Sequence, residues 1–314
     1  MKKAKIAVFG ATSHIAKGLI NNFLEREEFS LHLYTRSPDK ACRFLGTIKK
    51  SPDKNCVIHE GYENFIKSSY DIIINCVGVG PIDKLQGNYT NYFMVTEKYD
   101  NLVIECLRSS CPEALYISFS SGAIYGSGFT MPAEENTMSS IRVNHVAKED
   151  YYSISRLNSE VKHRAFDYLR IVDLRVFSYF SRFIDLTDSY FITELLDCVL
   201  KKKVFVTTDK DFVRDYLHPK DMYSAIKGCM KFKKINAAFD INSARPVEKK
   251  EILDYFSSEY GLKYQVSRAL KHVSATGSKD IYYSKYNKAR EIGYKPVFTS
   301  METIKEESKY ILTA

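Results

Sequence analysis

The chain has 314 residues, 45% of them hydrophobic and 27% charged, with a formal net charge of +8. That length suits one large domain or two modest ones, with enough apolar side chains for a sizeable core. The positive charge is spread along the chain, with Lys201-Lys202-Lys203 its one tight cluster, which argues against nucleic acid as a partner and for small anionic ligands such as phosphates. Seven cysteines at 42, 56, 76, 106, 111, 198 and 229 form no CxxC and no Cys/His ligand spacing, so neither a disulfide framework nor a metal site is expected. No stretch approaches the ~18 apolar residues of a spanning helix. The basic start carries too short an apolar run for a signal-peptide core. The expectation is a soluble, cytoplasmic protein with no membrane partner.

In chain order, "KIAVFG" (5–10) predicts a strand, and "SHIAKGLINNFLERE" (13–27) a helix with Ile15, Leu19 and Phe23 on one face. "SLHLYTR" (30–36), "NCVIHEG" (55–61) and "YDIIINCVG" (70–78) predict further strands, with Cys76 as core packing in the last. A helix near 91–109 leads into the strand "ALYISFSSG" (114–122), and a helix at about 145–168 leads into "LRIVDLRV" (169–176). Near-continuous apolar strands alternating with helices imply an α/β fold with a parallel sheet covered on both faces. This is the Rossmann-type doubly wound plan, whose ligands sit at the carboxyl ends of the strands. After about residue 177 the alternation breaks into shorter, mixed segments. The expected division is a dinucleotide-binding domain over 1–176 and a smaller substrate-binding lobe over 177–314, with some segments returning to the main sheet.

The opening turn, "VFGATSHIAKGLI" (8–20), has the strand–turn–helix form that lets a backbone approach a pyrophosphate at a helix N-terminus. Of the three customary glycines only Gly10 is present, with Ser13 and Ala16 at the other two positions. Gly10 supplies the tight turn, Ser13 adds a small hydroxyl able to donate to a phosphate, and Ala16 is a usual substitute where the helix packs on the sheet. At the end of the second strand, "LYTRSPDK" has no carboxylate before Asp39 and places Arg36 where the adenosine ribose should lie. An acidic residue there would bond the 2′-hydroxyl of NAD, whereas an Arg accommodates the 2′-phosphate of NADP. Arg36, with Lys40 nearby, therefore favours NADP(H), with NAD(H) as the alternative.

Several ordered motifs together resemble the extended short-chain dehydrogenase/reductases, the nucleotide-sugar epimerases, dehydratases and reductases. "GATSHIA" resembles their glycine turn, "SFSSGAIYG" (118–126) their Ser-Ser-x-x-(Val/Ile)-Tyr-Gly strand end, and "YYSISRLNSE" (151–160) their Tyr-x-x-Ser-Lys-x-x-x-Glu helix. "RDYLHPKDM" (214–222) resembles their Arg-Asp-(Phe/Tyr)-(Ile/Val)-His-x-x-Asp segment, and "INSARPVEKKEIL" and "KAREIGYKPVFTSMETI" their late substrate-lobe motifs. The resemblance implies Ser121 and Tyr152 as the catalytic Ser and Tyr, with Arg156 in place of the usual Lys one turn on. It implies cofactor contacts from Gly10, Thr12, Ser13, His14, Ile15, Arg36, Asn75, Val77, Gly78, Tyr152 and Arg156, and substrate contacts from Ser120, Ser121, Ser178 and Arg214.

A phenol works as a proton donor or acceptor near neutrality only if a nearby cation favours its phenolate. Arg156 keeps the charge, but its planar, always-protonated head is no silent exchange for Lys. Gly122-Ala123 stands where the family's dehydratases carry Asp-Glu, which argues against dehydration. The Arg36 argument then favours an NADPH-dependent reductase of a nucleoside-diphosphate 4-keto sugar, a 6-deoxy sugar included. Two alternatives stand beside it: an NAD-dependent nucleotide-sugar epimerase, and a non-catalytic NADP-binding protein. Ser178 replaces the family's usual Asn, His218 reads as structural, and a homodimer through a helix pair would fit the family.

Overall fold

The structure is a computed structural model that describes residues 3–26, 28–48, 50–51, 53–79, 85–126, 130–267 and 280–313. Its first half alternates as β1 (Ala4–Phe9), α1 (His14–Leu24), β2 (Phe29–Thr35), α2 (Pro38–Thr47), β3 (Cys56–Glu60), β4 (Ile72–Asn75), α3 (Asn91–Ser109), β5 (Leu115–Ser121), α4 (Tyr151–Ala165) and β6 (Ile171–Val176). The second half carries β7 (Ser178–Tyr179), α5 (Phe191–Leu200), β8 (Phe205–Thr207), β9 (Val213–Arg214), β10 (Tyr216–Leu217), α6 (Pro219–Met230) and β11 (Asn236–Ile241). It ends with β12 (Val247–Glu248), α7 (Lys249–Tyr260), β13 (Tyr264–Val266), β14 (Ile281–Tyr282) and α8 (Ser300–Leu312).

Seven strands form the central sheet in the order β3-β2-β1-β4-β5-β6-β11, and every neighbouring pair is parallel. The order runs outward from β1 in both directions, so the chain reverses its winding between β1 and β4. Phe9 is in register with Asn75 at this switch point, and the crevice beyond it is where such folds bind ligands. β11, from the second half, is the seventh strand, laid against β6. The remaining short strands make separate ribbons, of which β12-β9-β14 matters for the site.

Alternation along each strand divides the core between the two faces of the sheet. On one face Ile6, Val8, Leu33, Ile74, Ile117 and Leu174 pack beneath Leu19 and Phe23 of α1 and Met222 and Ile226 of α6. On the other, Phe9, Tyr34, Ile73 and Tyr116 pack beneath Tyr99, Val103 and Leu107 of α3. A third cluster joins α5, α7 and α8 through Leu195, Leu196, Phe256 and Ile304.

The predicted helix at 145–168 is shorter than expected: α4 begins at Tyr151 after a single tight turn over Lys148–Asp150. Residues 141–149 are exposed, so a helix there would have no face to bury, and a short helix without packing is not stable in water. Among the described residues no helix is long and apolar enough to cross a membrane.

Candidate active site

The opening turn is tight. Gly10 has φ +65°, and a Cβ on it would stand 3.0 Å from the backbone C and O of Cys76 and the N of Val77. Only glycine meets both demands, so the β1–α1 turn lies directly against the chain leaving β4. Ser13 is the N-cap of α1, its Oγ accepting the Ala16 N–H at 3.4 Å. Its own hydroxyl proton remains available to a ligand. The N–H groups of His14 and Ile15, in the first turn of α1, have no intrahelical acceptor. The imidazole of His14 meets the Tyr179 ring edge-on at 4.8 Å, and desolvation pushes its pKa down to about 3, which keeps it neutral. The close helix packing assigned to Ala16 belongs also to Gly18, where a Cβ would stand 1.9 Å from Tyr179 Oη.

Arg36 is exposed just beyond β2, and its charge reaches Tyr62, whose phenol burial pushes up to about 12. Tyr62 Oη accepts the Gly10 N–H at 3.2 Å and donates to the Tyr34 carbonyl, bracing the turn from the β3 side. Lys40 bears on Lys17 of α1, whose pKa is lowered by burial first and by Lys40 in part. Asn75 is buried at the end of β4, and its Oδ1 accepts the Val77 N–H at 3.0 Å. Gly78 lies next to the Arg156 guanidinium, 3.6 Å from where a Cβ would be.

Ser121 ends β5. Its Oγ accepts the Ala123 N–H at 3.1 Å and lies 3.0 Å from Tyr282 Oη. Tyr282 is buried on β14, and burial raises its pKa, so it is a neutral phenol with a proton to donate. When Tyr282 donates, both lone pairs of Ser121 are taken and the serine proton is left to point at a ligand. Tyr152 lies in the first turn of α4, and its phenolate charge would raise the Tyr282 pKa further. The Tyr152 ring lies 5.3 Å from the Arg156 guanidinium carbon and 5.4 Å from the Tyr92 ring. Arg156 Nη1 donates to the Phe119 carbonyl at 3.2 Å, while its Nε is buried with no partner among the described residues. A cation bridging Tyr152 and Gly78, with one donor unspent, fits a ribose hydroxyl or similar ligand oxygen.

The structure does not bring all the predicted substrate residues together. Ser120 faces the opposite side of β5 from Ser121 and gives its proton to Glu160 at 2.5 Å. Ser178 sits on β7, paired with Tyr216. Arg214 is buried on β9, in register with Tyr282, with its guanidinium 4.8 Å from the Phe212 ring and 5.8 Å from the Tyr282 ring. Arg214 Nη1 donates to the Val213 carbonyl at 3.2 Å, while Asp215 accepts from Ser243 and Asp221 from the backbone of Val297 and Phe298. Burial lowers the Arg214 pKa. His218 caps α6 by accepting the Lys220 N–H at 3.1 Å. Tyr282 is the site residue that sequence reasoning missed, because 161 residues separate it from Ser121.

Residues 6–241 match the NAD dependent epimerase/dehydratase family, and the chain belongs to it. No curated protein sequence matches. The fold is similar to that of UDP-glucuronic acid 4-epimerase from Bacillus cereus, solved with UDP-glucuronic acid and NAD, at 15% identity over 98% of this chain and 99% of that one, with a TM-score of 0.77. It is also similar to UDP-glucose-4-epimerase from Stenotrophomonas maltophila, solved with NAD and formylated UDP-arabinopyranose, at 14% identity, 98% and 97% coverage and a TM-score of 0.79. A third is the ADP-L-glycero-D-manno-heptose-6-epimerase of Helicobacter pylori, at 15% identity, 99% and 97% coverage and a TM-score of 0.76.

Proposed function

We propose that the chain is an NADP(H)-dependent reductase of a nucleoside-diphosphate 4-keto sugar. The observation that carries this reading is the Ser121–Tyr282 hydrogen bond at the carboxyl end of β5 together with Tyr152 beside Arg156, which lies against Gly78 in the segment packed on the Gly10 turn. The dinucleotide would be held by the first turn of α1, the 75–78 segment and Arg156, with Arg36 at the adenosine 2′-phosphate. When bound, it supplies the hydride. Ser121, held as a donor by Tyr282, hydrogen-bonds the substrate carbonyl oxygen, and Tyr152 gives that oxygen its proton. Arg156 holds positive charge over the Tyr152 ring. Arg214, buried beside the Tyr282 ring, is the cation suited to the sugar diphosphate. Gly122 supports a role without dehydration: a Cβ there would stand 2.3 Å from the Phe177 ring, so no acidic side chain fits at that position.

An epimerase is the second reading, favoured by the solved relatives, two of which hold NAD. Denaturing the purified protein and identifying any released nucleotide separates the two. Retained NAD would favour the epimerase and count against the role given to Arg36. An empty site that prefers NADPH to NADH would support the reductase. Tyr152→Phe should lower turnover ~10²-fold or more if Tyr152 is the acid. Binding of NADPH with no turnover on any keto-sugar nucleotide would leave a cofactor-binding protein.

A further inference from the structure

A continuous line of buried hydrogen bonds runs from the interior of the sheet's α3/α4 side to the proposed cofactor wall. Asp173 of β6 and Asp100 of α3 clamp the two ring nitrogens of His163 at 2.8 and 2.7 Å, and His163 has no solvent exposure. Asp100 also lies 2.8 Å from Tyr116 Oη, and Tyr116 Oη lies 3.1 Å from Asn75 Nδ2. Lys162 and Arg164 close the two ends on Asp100 and Asp173 at 2.5 and 2.9 Å.

The donors and acceptors have one consistent assignment. Ionised carboxylates only accept, so both nitrogens of His163 donate and the ring is an imidazolium. Tyr116 must likewise donate to Asp100, which leaves its oxygen to accept from Asn75 Nδ2. The Asn75 amide is therefore turned with its Oδ1 toward the Val77 N–H. A flipped amide would set oxygen against oxygen at Tyr116 and NH₂ against N–H at Val77. Glu160, Arg175 and Asn236 complete the surroundings: the first two act on Arg164, and Asn236 donates to the His163 carbonyl. The 76–78 segment so fixed is the one against which Gly10 packs and beside which Arg156 lies.

We propose that Asp173, His163, Asp100 and Tyr116 are positioning residues that set the amide of Asn75 and so hold residues 76–78 in the geometry that binds the dinucleotide. This rests on the dinucleotide reading of the site. All four are buried on the sheet's α3/α4 side.

The test is Tyr116→Phe, which removes only the hydroxyl that passes orientation to Asn75. Ile73→Val is its control: Ile73 is the register partner of Tyr116 on the same face but takes no part in the hydrogen bonds. Dissociation constants for NADPH and NADH are measured by fluorescence titration alongside melting temperature. Tyr116→Phe should weaken both dinucleotides roughly tenfold with their ratio unchanged, the scale of one lost positioning hydrogen bond. Ile73→Val should bind as the parent does at a comparable melting temperature. If Tyr116→Phe does not fold, Asn75→Ala should give the same loss. Unchanged affinity in the variant, or equal loss in variant and control, would overturn the inference alone. A parent that binds neither dinucleotide would overturn the reading of the site and this inference with it.

Discussion

The two faces of the central sheet are built from different materials. Under α1 and α6 the packing is aliphatic: Ile6, Val8, Leu33, Ile74, Ile117 and Leu174 are all fully buried, with no charge among them. Under α3 and α4 the same strands present Tyr34, Tyr116, Asn75 and Asp173, and the helices answer with Asp100, Glu160 and His163. The aliphatic face gains its stability from area removed from water, which is non-directional. The polar face gains little net stability from its charges, because burying each one costs nearly what pairing returns. What it gains is direction, since the bonds among Asp173, His163, Asp100, Tyr116 and Asn75 fit one arrangement of donors and acceptors. The residues that fix Asn75 belong to this second face.

Adjacent residues of β6 give the sharpest way to break the comparison. Asp173 and Leu174 are both fully buried and point to opposite faces. Asp173→Ala leaves the imidazolium of His163 and the head of Arg164 without their carboxylate and should cost about 3–5 kcal/mol in unfolding free energy. Leu174→Ala should cost about 2–4 kcal/mol, as lost transfer energy plus a cavity. Denaturant unfolding measures both. If Asp173→Ala proves the milder of the two, the polar face does not hold the charges assigned to it.

The pH dependence of stability separates the faces next. Burial opposes the charge of His163, but its hydrogen bonds to Asp100 and Asp173 outweigh it and raise the pKa from 6.5 to about 9. A base held above its unfolded value adds stability that is complete below pH 6.5 and lost as pH rises through about 9. The full loss corresponds to about 3 kcal/mol. Buried thiols such as Cys76 and Cys229, whose pKa values burial raises, add a parallel loss in more alkaline solution. Leu174→Ala shares both contributions and should keep the parent's slope between pH 7 and 9. Asp173→Ala should flatten it, and equal slopes in the two variants would mean that His163 is not held charged.

How much of this was legible in the sequence follows the same division. The aliphatic face and its strands were readable because Ile, Val and Leu at alternate positions carry their meaning locally. So was the opening turn, where Gly10, Ser13 and α1 lie within a few residues. The polar face was not, since Asp100, His163 and Asp173 come from three elements, and an isolated Asp or His in a helix pattern reads as a solvated position. Ser120 and Ser121 were taken together because they are neighbours in the chain, yet alternation sends Ser120 to Glu160 and Ser121 to Tyr282. Residues 145–149 were read as helix because sequence pattern does not reveal that they are exposed.

Tyr282→Phe is the smallest effect and the finest test, because it removes a single hydroxyl bonded to Ser121. Ser121 leaves β5 on the side opposite Ser120, and Tyr282 reaches it through the register of β14 with β9. Removing the phenol oxygen leaves the ring packed against Phe177 at 5.1 Å, so folding should change little. Ser121 then has a free lone pair and two directions for its proton, and only one of them serves the substrate oxygen. Turnover should fall about tenfold, near 1.4 kcal/mol, with the Michaelis constant barely moved, since what is lost is a donor aligned for the reacting oxygen. A matching rise in the Michaelis constant with turnover intact would instead make Tyr282 a wall of the substrate site, leaving Ser121 to find its own direction.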